Sequence, residues 1–157
     1  MQWFYLHFPH LYGETWYDSF HSSQALAFID EKGSVLKDVN PAAERAGVSP
    51  DMLVNTAFCM EPTLQVNIID PHQAQQALLR VAKLAYRFSG WVGLESPNGL
   101  YLEVATMRQL FGSLAALREQ VLSLFQTLQY TLQVAAAPTP KAAHLLARSG
   151  AALCVDQ

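Results

Sequence analysis

Apolar and polar side chains alternate first along Gln2–Phe8, with Trp3, Tyr5 and His7 on one face and Phe4, Leu6 and Phe8 on the other, the period of a strand. Ala25–Ile29 and Ser34–Val39 repeat that pattern around Glu31-Lys32-Gly33 and predict a hairpin. The spacing then lengthens to that of helices. Asn40 can cap and Pro41 can open an alanine-rich helix over Pro41–Ala46, which Gly47 ends. A further short helix is predicted at Met52–Cys59 and a strand at Leu64–Ile69. From Asp70 onward Ala74, Ala77, Leu78, Val81, Leu84, Ala85 and Phe88 form one apolar stripe, opened by Asp70-Pro71 and closed by Gly90. Trp91–Glu95 and Leu100–Val104 read as strands joined through Ser96-Pro97-Asn98-Gly99, where Asn-Gly signals a tight turn. A second stripe of Leu110, Phe111, Leu114, Leu117, Val121, Leu124, Phe125 and Leu128 predicts a helix over 107–128, interrupted at Gly112-Ser113. Tyr130–Ala136 reads as a strand, Pro140–Arg148 as a helix and Ala151–Val155 as a last short strand.

With the segment between the first strand and the helix at Asp70 set aside, the order is strand, helix, strand, strand, helix, strand. That is the βαββαβ unit of a ferredoxin-like α+β fold. The expected organisation is a main domain of residues 1–10 and 70–157, with residues 11–69 as a small α/β insertion after the first strand.

Composition narrows the function classes. At 157 residues, 51% hydrophobic and 15% charged, the chain can bury a core and is not a disordered segment. Its apolar runs are far shorter than the roughly 20 residues that span a bilayer. No basic residue precedes an apolar N-terminal core, and Pro9 interrupts the first run, so neither a secretory signal nor a membrane partner is expected. Cys59 and Cys154 are too few and too far apart for a zinc knuckle or a disulfide framework, which points to a reduced, cytoplasmic setting. Ten Lys and Arg against thirteen Asp and Glu leave a net charge of −3, and the cations are scattered along the chain. Holding duplex DNA requires clustered cations that release phosphate counterions, so weak or no autonomous DNA binding is expected.

Isolated chemical motifs are sparse. His7-Phe8-Pro9-His10, with His21 nearby, has the look of a transition-metal site, but a strand spacing of three sends the two imidazoles to opposite faces. His72 and His144 read as surface or half-buried helix residues. Trp3, Phe4, Tyr5, Trp91 and Phe111 could stack on bases, but their spacing fits a core better. Ser22-Ser23 has no neighbouring base, and no glycine-rich phosphate loop is present.

Longer stretches carry a resemblance. Leu6-His7-Phe8-Pro9-His10-Leu11, the run from Val35 to Val48, Leu100-Tyr101-Leu102-Glu103-Val104, Leu110-Phe111-Gly112 and Ala137-Pro138-Thr139-Pro140 occur in an order and spacing that resemble Y-family translesion DNA polymerases, in particular their divergent ImuB branch. The resemblance implies a polymerase palm for residues 1–10 and 70–157 and fingers for 11–69. The family's thumb and little-finger domains would lie past Gln157, and the expectation is a chain of palm and fingers without them.

The same resemblance implies a site stripped of its chemistry. A palm holds two divalent cations with hard oxygen ligands, carboxylates from the first strand and from the central hairpin. The family's Asp-x-Asp corresponds to His7-Phe8-Pro9, and its Ser-x-Asp-Glu to Ser96-Pro97-Asn98-Gly99. His7, Pro9, Asn98 and Gly99 thus stand where carboxylates are needed, and Glu14, Glu95 and Glu103 are the nearby acids that could substitute. In the fingers, the Tyr and Arg that hold a triphosphate correspond to Pro41 and Glu44, with Arg45 as a remnant one residue along. The palm lysine corresponds to Pro140, with Lys141 beside it. The expectation is therefore no catalytic residue, no bound metal, no nucleotide site and no cofactor. The resemblance implies an ImuB-like accessory protein in SOS-induced mutagenesis, a scaffold linking an error-prone replicative-type polymerase to a RecA-like accessory protein and the sliding clamp. Gln109, Arg118 and Gln126 are exposed candidates for partner contact. Two alternatives stand beside it: an active metal-dependent Y-family polymerase fragment, and an unrelated ferredoxin-like interaction module.

Overall fold

A computed structural model describes residues 2–148, and the strand predicted at Ala151–Val155 lies outside them. The chain divides into two compact units, one made of the N-terminal residues to Pro9 with the chain from Leu78 onward, the other His10–Ala77.

The first unit is built on a four-stranded antiparallel sheet of β1 (Trp3–His7), β5 (Val92–Glu95), β6 (Gly99–Glu103) and β7 (Gln133–Ala137), in the order β5-β6-β1-β7. With α4 (Pro71–Ala85) between β1 and β5, and α6 (Leu114–Thr127) between β6 and β7, this is the ferredoxin-like βαββαβ arrangement. β1 lies in the middle, and Phe4, Tyr5 and Leu6 are all fully buried, so both of its faces are covered. Leu6 stands opposite Leu100 and Val134, and Phe4 opposite Leu102 and Ala136, making one apolar face. The α6 helix reaches that face through Phe125, whose ring centroid is 5.2 Å from that of Phe8. On the other face Tyr5, Ala135 and Ala137 pack with Ala143 and Ala147 of α7 (Pro140–Arg148). Small side chains on both elements let that helix lie close to the strands.

The predicted helix over 107–128 is broken as its sequence suggests. A single turn, α5 (Arg108–Phe111), ends at Gly112, whose φ of 87° favours glycine, and Ser113 restarts the helix by accepting from the Ala116 N–H at 3.1 Å. Leu114, Leu117, Val121 and Phe125 are buried as the stripe requires, whereas Leu110 is 76% exposed and Leu128 is exposed. The break turns α5 out of phase with α6, and Leu128 falls past the last turn.

The second unit has a three-stranded sheet of β2 (Leu26–Ile29), β3 (Asp38–Val39) and β4 (Gln65–Ile68), with β2 central, antiparallel to β3 and parallel to β4. The predicted strand Ser34–Val39 shrinks to its last two residues because Leu36 turns away to exchange backbone bonds with Asp51 and Met52. Ala27 enters a cluster with Leu36, Val39, Ala43, Val48, Ala57 and Leu64, while Leu26 and Phe28 enter another with Phe20. Burial on both faces explains why β2 reads as an unbroken apolar run. Around it lie α1 (Leu11–Trp16), a 3-10 turn (Asp18–His21), α2 (Pro41–Arg45) and α3 (Val54–Met60). Asn40 ties them together. Its Oδ1 accepts from Leu26 N (2.8 Å) and Ala43 N (3.0 Å), and its Nδ2 donates to the carbonyls of Phe20 (3.0 Å) and Gln24 (2.7 Å). The side chain is fully buried and uses all four of its bonding positions.

Candidate functional site

The end of β1 and the β5–β6 hairpin meet in the first unit. His7 pairs with Gly99 and Gln133 in the sheet register, and Phe8 N–H donates to the Asn98 carbonyl at 3.0 Å. His7, Pro9, Asn98 and Gly99 therefore collect at one end of the sheet. The hairpin differs in detail from its sequence signal: Gly99 already opens β6 opposite Glu95, so the turn consists of Ser96, Pro97 and Asn98, with a cis bond before Pro97.

Gly99 is required by its neighbour. A Cβ built there would lie 2.5 Å from Tyr5 Cζ and closer still to the hydroxyl. The phenol of Tyr5, fully buried, fills the space into which any side chain at position 99 would project. The Tyr5 ring in turn packs at a tilt against those of Tyr101 (centroids 4.8 Å apart) and His144 (4.6 Å). Its part in the site is not evident from sequence, where it reads only as a core or stacking aromatic. The available signal was a bulky ring two residues out of register with a strand glycine.

Glu95 is the carboxylate nearest the hairpin, paired with Gly99 across β5 and β6. The Tyr101 hydroxyl donates to its Oε2, and its Oε1 lies 3.7 Å from His144 Nε2. Glu103 is at the far end of β6, opposite Trp3, about 13 Å along the strand from Gly99 at roughly 3.3 Å per residue. Its Oε1 accepts from Ala105 N at 2.8 Å. Pro140 begins α7, and Lys141 beside it is exposed.

In the second unit Pro41 is the first residue of α2, and Glu44 and Arg45 are exposed on its last turn. Glu14 is half-buried, with its side chain enclosed, and its Oε2 lies 2.9 Å from His21 Nε2. His10 Nδ1 lies 2.7 Å from Asp38 Oδ1. Burial draws the His10 imidazole down, but the Asp38 hydrogen bond and charge, with smaller contributions from Glu14 and Glu44, outweigh it and leave its pKa above the ordinary 6.5. These two histidine–carboxylate pairs flank Phe20, whose ring centroid is 5.4 Å from that of His10 and 5.1 Å from that of His21. Neither pair was anticipated, since their partners are remote in sequence or belong to another element. Ser22 Oγ donates to the Ser19 carbonyl, a local turn contact.

The remaining candidates separate by exposure. Phe4 is core, Phe111 and Trp3 are half-buried, and Trp91 is 53% exposed, its ring edge-on to Trp3 at 5.0 Å. Trp91 thus departs from the core expectation because it precedes an edge strand. His72 is exposed and His144 half-buried. Gln109 and Gln126 are exposed, whereas Arg118 is half-buried, 3.7 Å from Glu119. Among the described residues, no three His, Cys, Asp or Glu side chains converge where they could hold a metal ion, and no helix is long and apolar enough to cross a membrane.

Comparison with known proteins agrees with this architecture. The profile of the impB/mucB/samB family matches residues 21–148. DinB from Sulfolobus solfataricus superposes with a TM-score of 0.73 at 16% identity, over 95% of this chain and 46% of that one. A Y-family DNA polymerase chimera of Dbh and Dpo4 gives 0.74 at 17% identity, over 95% and 46%, and a Dbh ternary complex gives 0.70 at 14%, over 95% and 45%. The chain spans less than half the length of these structures. No curated protein sequence matches it. The chain belongs to the impB/mucB/samB family, and its fold is that of the palm and fingers of a Y-family DNA polymerase.

Proposed function

We propose that this chain is a non-catalytic, ImuB-like member of its family, a cytoplasmic scaffold in bacterial DNA-damage-induced mutagenesis and translesion synthesis. The observation that supports the reading best is the packing of Tyr5 over Gly99. Two-metal phosphoryl transfer needs several anionic oxygens within a few ångströms of each other. At the sheet end where the family places them, this chain offers an imidazole, a proline, an amide and a glycine whose side-chain space is already filled. Glu95 does not repair the deficit, since it is committed to Tyr101 and lies beside His144. Glu103 is a strand's length away, and Glu14 is engaged with His21. In the fingers, Pro41 and Glu44 supply neither the donor nor the cation that a triphosphate requires. The partners of this scaffold are an error-prone replicative-type polymerase, a RecA-like accessory protein and the sliding clamp, with weak or no DNA binding by the chain alone.

Primer extension with Mg²⁺ or Mn²⁺, paired with calorimetric titration of Mg²⁺–dNTP, tests the proposal. Neither primer growth nor nucleotide-dependent metal binding is expected. Extension that disappears in a Glu95→Gln variant would establish an active enzyme instead.

A further inference from the structure

The cations look scattered along the sequence, but α4 gathers three of them. Arg80, Lys83 and Arg87 follow one another at spacings of three and four residues and are all exposed, Arg87 just past the last turn of the helix. At about 100° per residue they occupy one sector of roughly 60°. Leu79 (41% exposed) and Tyr86 (57% exposed), seven residues apart, form an apolar row along the edge of that sector. Between Asp70 and Glu95 the chain contains no acidic residue, so no acid of this helix or its flanks offsets the three cations, in a molecule whose total charge is −3. A helix whose exposed face were merely solvated would mix both signs and leave fewer large apolar groups in water.

We propose that the Leu79–Arg87 face of α4 is a docking surface for an acidic amphipathic helix of a partner protein. The charges select an anionic partner, and the apolar row selects its class. Leu79 lies in α4 and Tyr86 is the first residue past it, seven positions on and about 10 Å further along the axis at roughly 1.5 Å per residue, which matches the repeat of apolar residues on a helix laid alongside. Acidic side chains next to that repeat would meet Arg80, Lys83 and Arg87, steering the encounter and fixing the register. A nucleic-acid backbone would use the cations but would have no use for Leu79. The surface shares no residue with the β1–hairpin site, and the proposal holds whether or not the chain transfers nucleotides.

The probe is a fluorescein-labelled, helix-stapled peptide with leucines at seven-residue spacing flanked by glutamates on one side. It is compared with a scrambled peptide of the same composition and with single-stranded oligothymidylate. Fluorescence anisotropy measures affinity for the full chain, and amide chemical shifts locate the contact. The patterned peptide should perturb residues 79–87 and outbind the scrambled one. The triple variant Arg80→Gln, Lys83→Gln, Arg87→Gln should weaken it about tenfold, the sum of three modest exposed ion pairs. Tyr86→Ser should weaken it as well. All four positions are exposed, and circular dichroism verifies that the variants remain folded. Equal affinity for the scrambled peptide, perturbation elsewhere, no binding, or a preference for the oligonucleotide that is indifferent to Tyr86→Ser would each overturn the proposal.

Discussion

Tyr5 lies over Gly99 on the adjacent strand, two residues out of register, so that the ring of one residue occupies the volume a side chain on the other would need. The pair is coupled by exclusion. Gly99→Ala should destabilise the chain by about 1–3 kcal/mol, the ordinary range for overpacking a core, and Gly99→Glu by more. Combined with Tyr5→Ala, which opens the space at its own cost in buried area, the Gly99→Ala penalty should largely vanish. Urea unfolding of the four members of the cycle measures the coupling. Additive single effects would show that the ring moves aside freely.

Asn40 bonds to four backbone groups from three separate stretches of chain. Asn40→Ala leaves buried donors and acceptors unpaired and should cost about 2–4 kcal/mol. Asn40→Asp should also destabilise, because a carboxylate cannot donate to the Phe20 and Gln24 carbonyls. Thermal melts of both variants test this, and a loss below about 1 kcal/mol would mean that water replaces the lost partners.

The pKa of His10 is raised in the folded state, by Asp38 against the opposing effect of burial. The folded state therefore holds this proton more tightly than the unfolded one. The resulting stabilisation is complete below about pH 6.5 and is lost as pH rises through the higher folded value. Titrating the His10 imidazole by NMR in the wild type and in Asp38→Asn should show the pKa falling in the variant. The decline in stability between pH 6 and pH 8 should flatten with it. An unchanged pKa would assign the shift to another neighbour.

At the α5–α6 junction, Ser113→Ala removes a cap and should cost about 1 kcal/mol. Leu117→Ala, in the core, should cost roughly 2–5 kcal/mol. Leu110→Gln should be nearly neutral despite belonging to the same sequence stripe. Chemical denaturation of the three variants distinguishes them. A large loss at Leu110 would put it in the core.

What the sequence revealed follows from how local each signal was. The α4 stripe, the Asn40 cap, the Gly112-Ser113 break and the succession of strands and helices along the chain depend on neighbours a few residues apart, and each can be read directly. The early end of the Ser34–Val39 strand depends on Asp51 and Met52, and the exposure of Leu110 depends on the direction in which α5 leaves the break. Neither appears in a periodicity. At the candidate site, the order and spacing of motifs indicated which residues to place together, and the register brings His7, Asn98 and Gly99 to one end of the sheet. The filling of that end by Tyr5, the Glu95–Tyr101 bond and the pairing of His10 with Asp38 are contacts between separate elements, outside the reach of local pattern.

The central position of β1 bears on how the protein is made. Both strands that flank it lie roughly 90 to 130 residues downstream, from Gly99 to Ala137. During synthesis Trp3–His7 leaves the ribosome long before either partner exists, carrying Phe4, Tyr5 and Leu6 bare, while His10–Ala77 can already close on itself. A strand made well before its partners is thus among the last of these elements to find its place, and through that interval the nascent chain offers an unpaired aromatic strand that chaperones or neighbouring chains can capture.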